Sequence, residues 1–118
     1  MKIFEIVNLL EATVLCGEDK LDGDVRSACG CDMMSDVLAF VKEQAVLLTG
    51  LCNPQVVRTA VMMDMRCIVF VRGKMPSADV VSLAEESGLV VLATSERMYP
   101  ACGKLYEKGL TGGEVANG

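Results

Sequence analysis

The expected architecture follows from one apolar run, Ala45-Val46-Leu47-Leu48-Thr49-Gly50, which ends on a hydroxyl and a glycine. A continuous run of this length is typical of a parallel strand that is buried on both faces of a sheet. Asn53-Pro54 comes next, and an asparagine cap before a proline at the first helical position predicts the start of a helix. Residues 45–54 therefore predict a buried strand that leads through a short loop into a helix.

The same alternation of strand and helix continues along the rest of the chain. We expect strands at 67–71 and 89–93, and helices at 54 to about 65, at 77–87 with Ser77 as the cap, and from about Tyr99 to near Gly109. Strands that alternate with helices through short connections form parallel sheets by right-handed crossovers. The pattern predicts an α/β fold, with a mostly parallel sheet flanked by helices.

The first 44 residues are less regular. Apolar spacing predicts a helix at about 3–11 and strands at 12–16 and 25–31, separated by a charged loop. A further helix is expected from Ser35, as its N-cap, to Gln44, with Leu38 among its inward-facing residues. This part of the chain is expected to add an antiparallel or edge strand to the sheet.

Composition limits the classes of protein to consider. The chain has 118 residues, of which 52% are hydrophobic, and this suits one domain at 1–110 followed by a flexible tail at 111–118. The net charge is −5 and the basic residues are scattered, which argues against a nucleic-acid surface. No apolar run approaches the roughly 20 residues that span a bilayer, and no signal-peptide core opens the sequence. These observations predict a cytoplasmic protein that contacts neither nucleic acid nor membrane.

Polar groups are concentrated in Gly30-Cys31-Asp32-Met33-Met34-Ser35-Asp36-Val37, between two apolar segments. In one interpretation Asp32, Ser35 and Asp36 line a polar cleft that binds a small ligand or a cation through carboxylate oxygens. In the other, Asp32 or Ser35 caps the following helix while Asp36 faces water. The two interpretations are compatible, because the capped end of a helix also binds ligands.

Thr49, Gly50 and Asn53 form the second candidate site. They lie between the carboxyl end of a buried strand and the start of a helix, where ligands bind in open α/β sheets. Free backbone N–H groups at such a point favour an anion, and Arg72, which follows the next strand, would attract it from the rim. The alternative is a plain loop with an asparagine cap. The sequence has neither a phosphate-binding P-loop pattern nor a dinucleotide-binding glycine pattern.

Cysteines and methionines give weaker indications. Cys29 and Cys31 could hold a metal or part of an iron–sulfur cluster, but the same spacing places both thiols in the core. The chain contains no histidine, which removes most acid–base catalysis, and it shows no paired nucleophile and base, so we expect no enzyme. Methionines occur in a group at Met62, Met63 and Met65. Each could fill a gap in the core, but an exposed subset would suit a subunit interface, and we expect a homodimer.

Three segments carry a resemblance to a known family. They are residues 30–39, Thr49-Gly50 with Asn53, and Ile68-Val69-Phe70-Val71-Arg72-Gly73-Lys74-Met75-Pro76. Together they resemble the DRTGG-domain family over about residues 1–110. One departure is that Ser27 and Ala28 stand where the family has its two glycines, so positive φ angles become less accessible there.

The resemblance implies a fold and a type of role. The fold is that of the N-terminal domain of HPr kinase/phosphorylase, and the family recurs as an accessory module in larger enzymes and as a free-standing short protein. It implies a non-catalytic regulatory or accessory module without a cofactor, which binds a small anionic or nucleotide-like ligand or a partner enzyme. The alternative that it implies is an iron–sulfur accessory protein associated with a hydrogenase.

Overall fold

The computed structural model describes residues 1–40 and 44–112 of the chain. Its helices and strands, in chain order, are α1 (Ile3–Leu10), β1 (Thr13–Cys16), a 3₁₀ turn (Glu18–Lys20), β2 (Ser27–Gly30), α2 (Met34–Phe40), β3 (Ala45–Thr49), α3 (Pro54–Met62), β4 (Cys67–Phe70), α4 (Ala78–Glu86), β5 (Val90–Ala93) and α5 (Met98–Glu107). This order confirms the expected alternation of strands and helices. Within the described residues, no helix has both the length and the apolar character needed to cross a bilayer.

The strands form one five-stranded sheet in the order β1-β5-β4-β3-β2. The four strands β2 to β5 are parallel, and β1 pairs antiparallel with β5 at one edge. The predicted mostly parallel sheet is therefore confirmed, as is the antiparallel edge strand from the first part of the chain. The interior strands β3, β4 and β5 are buried throughout, which explains why their sequences are continuous apolar runs.

Helices cover both faces of the sheet. The three crossover helices α2, α3 and α4 pack on one face, around Phe70, Leu47 and Ile68. The terminal helices α1 and α5 pack on the other, around Leu48, Val69 and Leu92. All three crossovers lie on the same face, and the loops after β2, β3 and β4 lie side by side along the carboxyl edge, which we call the shelf.

Two helix starts occur where the sequence places them. Asn53 caps α3, with its side-chain oxygen accepting a hydrogen bond from the Val56 backbone N–H at 3.3 Å. Ser77 caps α4 in the same way through Val80, at 3.4 Å. Both caps are local motifs of adjacent residues, which is why the sequence alone identifies them.

The prediction for α2 is wrong in two respects. Ser35 is the second residue of this helix and does not precede it, so it is not the N-cap. Leu38, which we expected to face inward, is exposed, whereas Val37 is buried. Gln44 lies in a turn with a φ of 56°, so the helix does not extend to it; the part of the prediction at 41–43 lies outside the described residues.

The Ser27-Ala28 departure creates no backbone strain. Both residues belong to β2, and neither has a positive φ. The Ala28 N–H donates to the carbonyl of Thr111 at 2.9 Å, which fixes the start of the predicted tail against β2. The rest of that predicted tail, at 113–118, lies outside the described residues.

Candidate functional site

Asp32 is the centre of a polar cluster at the carboxyl edge of the sheet. Its Oδ1 accepts hydrogen bonds from the Thr49 hydroxyl at 2.9 Å and from the Gly50 backbone N–H at 2.8 Å. Its Oδ2 forms an ion pair with the Arg72 guanidinium at 3.4 Å. The structure thus brings together four of the seven predicted site residues, and the Asp32 carboxylate joins the ends of three neighbouring strands.

Strand register explains why residues so far apart in sequence meet here. Gly30 pairs with Leu48 and Thr49 pairs with Phe70, so β2, β3 and β4 end side by side. The residues just past these ends, Asp32, Gly50 and Arg72, therefore occupy one shelf. The Thr49 side chain is fully buried and also accepts the Leu51 N–H at 3.1 Å, so the start of the loop after β3 is fixed.

Gly50 makes room for the arginine. A Cβ atom at this position would overlap the Arg72 guanidinium, with its Cζ only 2.7 Å away. Arg72 itself has a φ of 64°, a left-handed conformation that non-glycine residues adopt at a cost of about 1–2 kcal/mol. Its backbone N–H donates to the Glu96 carbonyl at 2.7 Å. An arginine therefore occupies a position whose backbone conformation favours glycine, which points to a role for its side chain.

Electrostatics keep the carboxylate ionised. The Gly50 N–H holds the pKa of Asp32 below its usual range, and the Thr49 hydroxyl and Arg72 act in the same direction, whereas partial burial opposes them. A depressed folded-state pKa stabilises the fold at pH values above the unfolded pKa of about 3.9. That contribution is lost as the pH falls through the folded-state value.

We expect an NMR titration of the Asp32 carboxyl carbon to give a midpoint below about 3.9. Because the Gly50 N–H is the largest cause, Arg72→Gln should raise the midpoint only part of the way to that value. A full return to about 3.9 in Arg72→Gln would show that the ion pair, and not the backbone bond, governs Asp32.

The remaining predicted site residues lie around this cluster without joining it. Ser35 and Asp36 are exposed in the first turn of α2. Asn53 is occupied as the cap of α3. The Asp32 carboxylate bonds Thr49 and Gly50 at the start of the loop after β3.

A second cation lies near Arg72 and was missed by the sequence reasoning. Burial raises the pKa of the Cys52 thiol, but Lys74 and then Arg72 act on it in the opposite direction, so both cations lie within electrostatic reach of Cys52. Cys52 itself directly precedes Asn53, the cap of α3. Two cationic side chains therefore accompany the positive end of the α3 dipole. Lys74 belongs to the segment that carries the family resemblance, and that segment could have identified it as a candidate site residue.

Cys29 and Cys31 lie at the carboxyl end of β2. Cys29 and Cys31 both pack against the face covered by α2, α3 and α4, as the alternating pattern predicts. Burial raises the pKa of the Cys29 thiol to about 11. Among residues 1–40 and 44–112, no group of three or more acidic or cysteine side chains could hold a metal ion.

The methionines divide between core and surface. Met34 and Met65 are buried, whereas Met33 and Met62 are exposed by 61% and 71%. Met62 lies on the outer side of α3 beside Val61, which is also exposed. An exposed subset therefore exists, and homodimer formation stays a prediction.

The fold and the site define a small α/β domain with an open, mostly parallel sheet and a polar carboxyl edge. The sequence model of the DRTGG domain matches residues 5–107, and the chain belongs to this family. No curated protein matches the chain significantly.

Among solved structures, the chain is similar to the regulatory region of Clostridium perfringens pyrophosphatase, whose CBS and DRTGG domains were crystallised with the activator diadenosine tetraphosphate. The TM-score is 0.71 at 16% sequence identity, over 88% of this chain and 45% of that one. The chain therefore spans less than half the length of that structure, and the likeness shows a shared fold.

Proposed function

We propose that this domain is a non-catalytic regulatory module that binds a small anionic ligand at the carboxyl edge of its sheet. The observation that carries the proposal is the Arg72 guanidinium, which lies over Gly50 and is held there by Asp32. The side chain of Arg72 remains 45% exposed, so it is both positioned and accessible. A guanidinium fixed in this way loses little conformational entropy when an anion binds.

The surroundings of Arg72 support an anion over a cation. Lys74 adds a second positive charge, and the α3 N-terminus adds a positive dipole end. The Asp32 carboxylate is directed at Thr49, Gly50 and Arg72, so its charge is largely satisfied within the protein. These positive groups can donate charge-assisted hydrogen bonds to a phosphate or carboxylate group.

The similar pyrophosphatase region suggests which anions to test first. That region was crystallised with diadenosine tetraphosphate as its activator. We therefore propose nucleotides with several phosphates as the ligand class, with diadenosine tetraphosphate and ATP as probes. The open shelf suits an extended polyphosphate, which needs positive charge along a surface and no deep enclosure.

We expect Arg72→Gln to weaken the binding of these nucleotides at least about tenfold, because a charge-assisted hydrogen bond contributes roughly 1.5–3 kcal/mol. Gly50→Ala should weaken binding too, because its methyl group displaces the guanidinium without changing the net charge. Isothermal titration calorimetry measures both affinities. Arg58→Gln, which removes an exposed arginine from α3, is the matched control and should bind like the wild type.

Three outcomes would contradict this proposal. Equal affinities for Arg72→Gln and Arg58→Gln would remove the carboxyl edge as the binding site. A folded protein that binds neither nucleotide would remove the ligand class. Turnover of a nucleotide, followed by phosphate release, would show that the domain is catalytic.

A further inference from the structure

A cavity lies at the amino edge of the sheet, opposite the carboxyl-edge cluster around Asp32. Its volume is about 700 Å³, within the range of roughly 300–1,000 Å³ that is usual for small-molecule sites. The loop before β2 forms one wall, the residues just before β3 and β4 form another, and the segment after α5 closes the third side. This cavity is lined by Asp24, Val25 and Arg26, which directly precede Ser27 and Ala28 at the positions of the family's two glycines.

Three cationic side chains converge on it, namely Arg26, Arg66 and Lys108. All three are exposed, and none forms an ion pair with an acid in the described part of the chain. Unpaired cations around one concavity attract an anion more strongly than the same charges spread over the surface.

The backbone fixes the two arginines on either side of β3. The Arg26 N–H donates to the Gln44 carbonyl at 3.0 Å, and the Arg66 N–H donates to the Ala45 carbonyl at 3.3 Å. Their Cα atoms are therefore anchored to consecutive residues of the same central segment. Two forked guanidinium donors placed in this way can each offer paired N–H groups to one phosphate.

Acidic groups line the same cavity and narrow the class of ligand. Asp24 is engaged by Lys2 at 3.0 Å, and a carboxylate oxygen of Glu5 accepts the Lys2 backbone N–H at 3.2 Å. Asp22 is exposed and has no ion-pair partner among the described residues. A carboxylate on the rim disfavours a bare polyanion but accepts hydrogen bonds from hydroxyl or amino groups.

We propose that the amino-edge cavity binds a phosphate monoester whose organic part carries hydroxyl or amino donors. Arg26, Arg66 and Lys108 bind the phosphate, and Asp22 accepts a hydrogen bond from the organic part. This site is separate from the carboxyl-edge shelf and does not depend on it. The proposed ligand contacts the loop that directly precedes β2.

The test is an amide NMR titration of the intact chain with AMP and, in parallel, with inorganic phosphate. We expect saturable shifts at the amides of Gly23, Arg26 and Arg66, with AMP binding more tightly than inorganic phosphate. The double variant Arg26→Gln/Arg66→Gln should weaken AMP binding at least about tenfold. Asp22→Ala removes the acceptor and the rim charge together, so it should lower the preference for AMP over inorganic phosphate, whose own affinity should rise.

Arg72→Gln and Arg58→Gln are the matched controls, and both should keep the amino-edge shifts. Shifts confined to the loop after β3 and abolished by Arg72→Gln would support the carboxyl-edge site and overturn this one. Amino-edge shifts that survive Arg26→Gln/Arg66→Gln in a folded protein would overturn the assigned ligands. The absence of saturable shifts at millimolar AMP would overturn the ligand class.

Discussion

We expect Phe70→Ala to lower the free energy of unfolding by about 3–5 kcal/mol. Phe70 ends β4, the central strand of the sheet, and its side chain is completely buried on the face covered by α2, α3 and α4. Truncation removes the transfer free energy of the ring and leaves a cavity that surrounding strands cannot close. Domains of this size are stable by only about 5–15 kcal/mol, so the loss is a large share of the total.

Urea unfolding followed by far-UV circular dichroism measures this change, since the chain has no tryptophan to report it. Phe4→Ala is the matched control, because Phe4 is 44% exposed on α1 and its truncation should cost far less. Phe70→Leu keeps most of the side-chain volume, so its loss of stability should lie between those of Phe4→Ala and Phe70→Ala. It replaces Phe70→Ala in the test if that variant is too unstable to purify. Similar losses for Phe4→Ala and Phe70→Ala would contradict the burial of Phe70.

The interior of the fold is predictable because its signals are local. The strands β3, β4 and β5 are apolar except for Thr49 at the end of β3, because they are buried on both faces of the sheet. The caps at Asn53 and Ser77 bond a residue three positions further on, so the whole interaction lies within one short window of sequence. These elements depend little on the rest of the chain.

The first part of the chain is harder to predict because tertiary contacts override local preference. Serine is a residue type that commonly caps helices, yet Ser35 lies inside α2, which begins at Met34. Leu38 is an apolar residue of a type common in protein cores, yet it is exposed on α2, and its neighbour Val37 faces inward. Where one helical turn more or less decides burial, apolar spacing alone is ambiguous.

The candidate sites show the same division. Residue types placed Asp32, Thr49, Gly50 and Arg72 in the site, but the sequence could not show that one carboxylate connects them, since Asp32 and Arg72 are 40 positions apart. Arg26 and Arg66 were not among the predicted site residues, because only the register of β2, β3 and β4 brings them to one cavity. Such clusters depend on which strands pair, and pairing is a property of the whole sheet.

We expect Gly17→Ala to lower the free energy of unfolding by about 2–4 kcal/mol. Gly17 follows β1 and has a φ of +85°, where an L-residue is strained. A Cβ atom there would also lie 2.8 Å from the Cα of Val90 and 3.1 Å from the Leu89 carbonyl oxygen. These atoms belong to the backbone at the start of β5, so they cannot rotate away, and β1 must move off the edge of the sheet. The Cys16 thiol bond to Leu89, now 3.4 Å long, should be lost with it.

Gly73→Ala separates the two causes of this loss. Gly73 also has a positive φ, of +69°, but a Cβ atom there would meet nothing within 4 Å. Its substitution should therefore cost only the conformational strain, about 1–2 kcal/mol. The difference between the two variants in urea unfolding measures the clash at Val90 and hence how tightly β1 closes the antiparallel edge. Equal losses would mean that β1 yields freely, in which case the edge strand contributes little to the stability of the parallel core.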